Sequence, residues 1–170
     1  MSYVQKTAAG PTELDRVWGL RPRYYEIFMH DYSRSMERVD PVLVELCRLH
    51  MARVIGSELD LSLRYQPALA AGLTEEKIRA LSGYAKSPLF TERERRCLDF
   101  AELFVIQSSN IGDDEVANVQ SVLGAEAFVY FAKALSVMDQ LQRSCAAFGI
   151  QPGAQVPATM PRFGLAPTAH

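Results

Sequence analysis

An apolar stretch with charges on several sides is the feature that most constrains what this chain can fold into. It covers residues 41–55, follows Asp40 and is followed by Gly56. Aspartate accepts hydrogen bonds from the free amides of a first helical turn, proline fits that turn, and glycine commonly ends a helix. Because Pro41 directly follows Asp40, the stretch is predicted to form one helix.

The charged residues of this helix do not share a face. With about 100° per residue and Glu45 as the origin, the side chains point to about 80° for Arg53, about 140° for His50 and about 300° for Arg48. A surface helix would gather its charges on one stripe. We therefore expect this helix to be surrounded, with some charges desolvated and paired. The charges either form structural ion pairs beside an oligomer interface, or one of them faces a pocket.

Helical periodicity recurs along most of the chain, and no alternating strand pattern of useful length occurs. Thr74 precedes one helical segment, and Thr91 with Glu94 has the spacing of a capping box at the start of another. The predicted helices begin near residues 24, 41, 58, 74, 91, 113 and 126, and the second helix after Asp40 is expected to run from Glu58 to Ala71. The predicted fold class is all-α, with about six to eight helices.

A chain of 170 residues fits a single domain. We divide it into an N-terminal arm (1–19), a helical domain (20–150) and a Pro/Ala-rich tail (151–170). The tail is expected to be extended, and either to pack along a neighbouring subunit or to stay mobile.

The composition of the chain limits the kinds of binding partner and the cellular compartment that we expect for it. The net charge is −2 and no basic cluster stands out, whereas nucleic-acid binding needs grouped Lys and Arg. No run approaches the roughly 20 apolar residues that cross a bilayer, so neither nucleic acid nor a membrane is expected as a partner. Three widely spaced cysteines (Cys47, Cys97 and Cys145) argue against a disulfide framework and favour the cytoplasm. No histidine has a partner at metal-ligand spacing, so no metal site is expected.

Two stretches carry a resemblance to a known family. They read Val-Glu-Leu-Cys-Arg-Leu-His-Met-Ala-Arg-Val-Ile-Gly at residues 44–56 and Ala-Leu-Ala-Ala-Gly-Leu-Thr-Glu-Glu-Lys-Ile-Arg-Ala-Leu at residues 68–81. Both resemble the core of the carboxymuconolactone decarboxylase / alkyl hydroperoxidase D family, and segments starting at Leu20, Thr91 and Arg143 resemble its other helices. The resemblance covers roughly residues 20–150. It implies an alkyl hydroperoxidase D-like helical bundle and a homo-oligomer, commonly a trimer or hexamer.

The resemblance also implies where the family's chemistry would be. In the peroxidase-like branch, a Glu on the first core helix is followed by Cys-x-x-Cys-x-x-x-His. Glu45 matches that Glu, and the spacing then places Ser57 and Asp60 at the two cysteines and Arg64 at the histidine. Peroxide reduction and disulfide closure both need sulfur, so this chemistry is lost at the usual position. The decarboxylase branch also lacks the cysteine pair and commonly has an acid where Asp60 falls.

The leading hypothesis is a cofactor-free enzyme of the decarboxylase-like branch, acting on a small carboxylic acid or lactone. If the family geometry holds, Glu45, Asp60 and Arg64 converge. One of two neighbouring carboxylates tends to keep its proton and can act as a general acid. An arginine beside them suits a substrate carboxylate or enolate oxygen. Ser57 could donate a hydrogen bond to an oxyanion or simply cap a helix.

Two alternatives stay open. Cys47 and His50 are three residues apart on one helix, so we expect their side chains to be close, and a His-assisted thiolate would be nucleophilic. That pair would support a thiol-dependent alkyl hydroperoxidase of peroxiredoxin type, although a lone buried cysteine usually acts as a small hydrophobe. The other alternative is a non-catalytic ligand-binding or interaction protein, in which the acids and the arginine form a salt-bridge network.

Overall fold

The computed structural model describes residues 3–153 and 164–167, and the all-α fold class is confirmed there. The helices, in chain order, are α1 (Glu13–Trp18), α2 (Pro22–Met36), α3 (Pro41–Ile55), α4 (Glu58–Leu61), α5 (Gln66–Ala70), α6 (Glu75–Arg79), α7 (Glu92–Gln107), α8 (Asp113–Leu123) and α9 (Ala125–Phe148). Single-turn 3₁₀ helices cover Ala80–Gly83 and Ser108–Asn110. Two three-residue strands, β1 (Leu63–Tyr65) and β2 (Leu165–Pro167), complete the described elements.

The nine α-helices of the described residues exceed the predicted six to eight for two local reasons. Helix α1 forms inside the segment that was expected to be an arm. The helix expected from Glu58 to Ala71 is divided into α4, β1 and α5, so that prediction is wrong. Pro67 lies in the first turn of α5, where its missing amide is harmless; inside a continuous helix it would remove a hydrogen bond and clash with the preceding turn.

Capping residues define the helix starts that matter for the site. Asp40 Oδ1 accepts a hydrogen bond from the Leu43 amide at 3.0 Å, which begins α3 as predicted. Thr91 and Glu94 form the predicted capping box: the Glu94 amide donates to Thr91 Oγ1 at 3.2 Å, and the Thr91 amide donates to Glu94 Oε2 at 2.7 Å. Helix α3 ends at Gly56, whose φ of +80° is readily adopted only by glycine.

Helix α3 is the central element of the bundle. It packs against α7 and α9, and α2 packs on α9. Residues 43–52 are buried without interruption, so both charged and apolar side chains of α3 face protein. The expectation that this helix is surrounded is therefore confirmed within one chain.

Strands β1 and β2 close one side of the bundle next to α3. They pair antiparallel, with Arg64 opposite Ala166, and Leu165 is fully buried. Gly164 has a φ of +75°, and a Cβ there would lie 3.1 Å from the Pro67 ring, which favours glycine at this turn. Part of the tail thus packs on its own chain, contrary to both expectations for it; residues 154–163 and 168–170 lie outside the described residues.

Within the described ranges, no single helix is long and apolar enough to cross a bilayer. Helices α8 and α9 meet such a criterion only as a pair, and the two are bent by 112° relative to each other.

Candidate functional site

The position that the resemblance assigns to catalysis is occupied by a buried ion-pair network centred on Arg48. Glu45 and Arg48 are three residues apart on α3, so their side chains lie on the same side of the helix. Both are completely buried. Arg48 forms a bidentate pair with Glu45, donating from Nε to Oε2 at 2.6 Å and from Nη2 to Oε1 at 2.9 Å.

Arg48 also uses its remaining donors inside the protein. Nη1 donates to the backbone oxygen of Asp60 at 2.9 Å and to its Oδ1 at 3.1 Å, and Nη2 donates to the Leu63 carbonyl at 2.8 Å. A guanidinium has five N–H donors, and all five are therefore engaged by groups from α3, α4 and β1. Burial alone would lower the pKa of Arg48, but the adjacent Glu45 carboxylate raises it above its ordinary value, so the side chain stays charged.

Both carboxylates of the network accept a hydrogen bond at each oxygen. Besides its two bonds from Arg48, the Glu45 carboxylate accepts a third, at Oε1, from the Tyr65 amide at 3.1 Å. Asp60 Oδ2 accepts from Ser57 Oγ at 2.7 Å, and both of these residues are buried. The structure thus brings three of the predicted site residues (Glu45, Ser57 and Asp60) into one cluster. Their predicted catalytic roles stay predictions.

Arg64 does not join this cluster, so its expected convergence with Glu45 and Asp60 is wrong. Its Nε donates to Glu75 Oε1 at 2.8 Å, and its Nη1 donates to the carbonyls of Leu61 and Leu63. The chain leaves the helix after α4: in a continuous helix Arg64 would lie one turn beyond Asp60, but in the strand β1 it bonds to Glu75 and shares only the Leu63 carbonyl with Arg48. The guanidinium that neutralises the acids comes from α3 instead.

The alternative thiol site is not assembled either. Cys47 is fully buried and its Sγ donates to the Cys97 carbonyl at 3.8 Å, whereas His50 Nε2 lies 2.9 Å from Glu102 Oε2. Burial, with smaller contributions from Cys97 and Glu94, raises the pKa of Cys47 well above its ordinary value. The thiol is therefore protonated and a poor nucleophile at neutral pH.

His50 belongs to a second polar cluster that the sequence did not reveal. Tyr84 donates its hydroxyl to Asp99 Oδ1 at 2.7 Å and lies 3.3 Å from the same Glu102 oxygen that His50 contacts. Burial first, and then the hydrogen bond to Asp99, raises the pKa of Tyr84. The cluster borders a shallow groove of about 300 Å³ that also includes Leu103 and Ile106.

A larger cavity lies elsewhere, where the N-terminal arm, α1, α2 and the end of α9 meet. Its volume is about 640 Å³. Its lining combines aromatic and aliphatic side chains with two cations, and consists of Val4, Lys6, Val17, Trp18, Leu20, Arg21, Tyr24, Gln140, Ser144 and Phe148. None of the residues of the Arg48 network borders it.

Sequence reasoning missed Arg48 although one signal for it was available. Arg48 follows Glu45 by three residues, the spacing at which helical side chains meet, and no other base on α3 has that spacing from this acid. No comparable signal points to the pairing of His50 with Glu102, because the two residues meet only through tertiary packing of α3 against α7. Among residues 3–153 and 164–167, no group of three or more His, Cys, Asp or Glu side chains could hold a metal ion.

Comparison with solved structures places this geometry in a known fold. A protein of unknown function from Agrobacterium tumefaciens, described as a candidate antioxidant defence protein AhpD, superposes with a TM-score of 0.71 at 19% sequence identity, covering 85% of this chain and all of that one. The chain has the AhpD-like fold. The debrominase Bmp8 is a second AhpD-like relative by structure: a cysteine-to-alanine variant in complex with 2,3,4-tribromopyrrole gives a TM-score of 0.67 at 18% identity, covering 86% of this chain and 80% of that one. Neither a protein-family model nor a curated protein sequence matches the chain.

The AhpD-like bundle expected from the sequence is therefore confirmed. The structure also shows which hydrogen bonds the residues at the predicted catalytic position form. Ser57 and Asp60 replace the thiols that the resemblance places there, and both are bonded into a closed network with Arg48. This centre is saturated with internal hydrogen bonds, and sulfur chemistry at these positions is absent.

Proposed function

We propose that this AhpD-like protein is a cofactor-free small-molecule-binding protein that does not catalyse a reaction at the position of the family's catalytic centre. The observation that carries the proposal is the saturation of Arg48. All five of its donors are bonded to protein groups and its side chain has no exposed surface. A guanidinium in that state has no donor left for a substrate carboxylate or enolate.

The hydrogen bonding of the acids supports the same proposal. A general acid or base must reach the substrate with a free carboxyl oxygen. Here Arg48 lies between Glu45 and Asp60 and bonds to both. The second oxygen of each acid also accepts a protein donor, from Arg48 and the Tyr65 amide at Glu45 and from Ser57 at Asp60, so no carboxyl oxygen is left for a substrate.

A small-molecule ligand is also consistent with the fold. The AhpD-like bundle of Bmp8 accommodates a small halogenated heterocycle, which supports a small-molecule ligand for this chain. The ligand class proposed from the sequence, a small carboxylate or lactone, is retained.

A second candidate function, proton transfer or decarboxylation at the Glu45 cluster, keeps one specific observation in its favour. Glu45, Asp60 and Ser57 do lie in one cluster, and an enzyme of this type would need them there. It would require the network around Arg48 to open when substrate enters.

One experiment separates the two functions. Wild type and Glu45→Gln are assayed against lactones, β-keto acids and, with a dithiol reductant, alkyl hydroperoxides, at a temperature where both variants are folded. Glu75→Gln is the matched control, because Glu75 is an exposed acid that pairs with Arg64 outside the Arg48 network. We expect no turnover above background from any of the three, while small carboxylates or lactones raise the wild-type Tm. Wild-type turnover that Glu45→Gln abolishes and Glu75→Gln retains would instead establish the enzyme.

We also propose that the chain forms a homo-oligomer. Large apolar side chains are exposed on two packed helices, among them Ile27 on α2 and Val129 on α9. Burial of such side chains between subunits is favourable, and contiguous patches of them mark interaction surfaces. Sedimentation equilibrium of the full chain measures the subunit number, and a monomer at micromolar concentration would contradict the proposal.

A further inference from the structure

The cavity beside Trp18 is built from four separate segments and is held open by defined contacts. The N-terminal arm forms one wall, because the Tyr3 amide donates to the Phe148 carbonyl at 2.7 Å and the Ala8 amide donates to the Arg16 carbonyl at 2.8 Å. These two anchors place Val4 and Lys6 over the cavity. Its volume of about 640 Å³ falls within the range of small-molecule sites, roughly 300–1,000 Å³.

Trp18 lines this cavity and has a buried hydrogen-bond donor that lacks a partner among the described residues. Its ring stacks on both Tyr24 and Phe28, with centroid separations of 5.6 and 5.1 Å. The residue is only 7% exposed, and its Nε1–H has no hydrogen-bond partner among the described residues. Buried indole N–H groups are usually bonded. An acceptor supplied by a ligand would satisfy this one.

The charge at the cavity favours an anion. Lys6 and Arg21 both border it and both are exposed, and no carboxylate is among the described residues that line it. Arg21 also precedes α2, and no side chain caps that helix there. The free amides and the positive end of the helix dipole therefore add to the local preference for negative charge.

We propose that this cavity binds a small organic anion with an apolar body, in particular a monocarboxylate. The apolar part packs against Val17, Leu20 and Phe148, and the carboxylate accepts hydrogen bonds from Lys6, Arg21 and Trp18 Nε1. This inference rests on the proposed binding function and gives it a site, which is separate from the Arg48 network.

The test uses the single tryptophan of the chain as a reporter. Octanoate is titrated into the full-length protein while Trp18 emission is recorded, and octan-1-ol and octylammonium serve as neutral and cationic ligands of the same length. We expect a saturable change in emission with octanoate, weaker binding of the alcohol and still weaker binding of the ammonium. Equal affinities for the three ligands, or no saturable change with octanoate, would overturn the proposal.

Variants locate the binding. Lys6→Gln combined with Arg21→Gln is expected to raise the octanoate Kd about fivefold, since an exposed ion pair contributes modestly. Arg79→Gln combined with Lys86→Gln makes the same change in net charge at exposed residues outside the cavity, and is expected to leave Kd unchanged. An unchanged Kd in the first double variant would refute the proposal. Trp18→Phe, followed by calorimetry after its fold is checked by circular dichroism, should weaken octanoate binding about tenfold, because it removes one hydrogen bond to a charged group.

The possible results distinguish this inference from the proposed function. If the octanoate Kd rises in proportion to protein concentration, a second copy competes for the cavity and the inference fails. If other carboxylates raise the Tm regardless of Lys6 and Arg21, the cavity assignment fails while the binding function stands. If wild type shows Glu45-dependent turnover, the proposed function fails whether or not octanoate binds.

Discussion

Arg48 and Arg64 belong to one segment of the chain, and each bonds to a carboxylate and to backbone carbonyls, yet the carboxylate partners differ in exposure. Arg48 has no exposed surface and bridges two buried acids, Glu45 and Asp60. The Arg64 side chain is 11% exposed and pairs with Glu75, whose side chain is 47% exposed. The same chemical pairing thus occurs once in the interior and once at the rim.

This difference shows that the contribution of an ion pair to stability depends on how deeply both partners are buried. An exposed pair contributes little, because water solvates both partners when the pair is broken. A buried pair is no more stable than a well-packed apolar replacement, but removing one partner leaves an unsolvated charge. We therefore expect the removal of Arg48 to destabilise the fold strongly and the removal of Arg64 to destabilise it weakly, although both are arginines paired with a carboxylate.

Replacing Arg48 with methionine should give the largest effect. Arg48→Met leaves two buried carboxylates without a cation, and we expect a loss of about 3–5 kcal/mol in the free energy of unfolding. Urea denaturation measures it. A companion variant, Glu45→Leu with Arg48→Met and Asp60→Leu, should recover much of the loss, because no charge then remains buried. A loss below about 1 kcal/mol in the single variant would place Arg48 in the same class as an exposed arginine.

The sequence predicts the fold of this region better than its site. The start of α3 at Asp40 and its end at Gly56 follow from local hydrogen bonding and backbone preference, which short-range patterns record. The mixed faces of α3 correctly indicated a surrounded helix with paired charges. These features need no knowledge of distant contacts.

Local sequence patterns could not show which arginine pairs with Glu45 and Asp60. The pairing depends on the chain leaving the helix after Leu61 and forming β1, where Arg64 bonds to Glu75 and not to Glu45. Pro67 is the local sign that a helix from Glu58 to Ala71 is interrupted. The strand itself forms by pairing with residues about a hundred positions later in the chain, and periodicity over a short window does not include that contact.

Measurements at alkaline pH extend the comparison to a group without a charged partner. They test whether the interior around α3 accepts the negative charge of a deprotonated cysteine. Burial raises the pKa of Cys97 to about 12, against about 8.5 for an unfolded thiol. Its contribution to stability is therefore fully present below about pH 8.5 and is lost as the pH rises through about 12. We expect the free energy of unfolding to fall by up to about 1.4 kcal/mol per pH unit for this thiol.

Cys97→Ala isolates that contribution from the titration of lysines and tyrosines. The difference in unfolding free energy between wild type and Cys97→Ala, measured in urea at pH 8, 9 and 10, should decrease with pH. A difference that stays constant over this range would mean that the protein interior tolerates a thiolate. Burial beside α3 would then not exclude a charge that lacks a partner.

Arg64→Met should give the smallest effect and completes the comparison. The side chain removed is the same as in Arg48→Met, but Glu75 remains largely hydrated after the change, so we expect a loss of at most about 1 kcal/mol. The difference in unfolding free energy between wild type and Arg64→Met should become smaller at 1 M salt, because salt screens a pair with an exposed partner. The difference between wild type and Arg48→Met should not change. If Arg64→Met instead costs as much as Arg48→Met, the bonds from Arg64 to the Leu61 and Leu63 carbonyls hold β1 in place, and the rim pair is as much a part of the fold as the buried one.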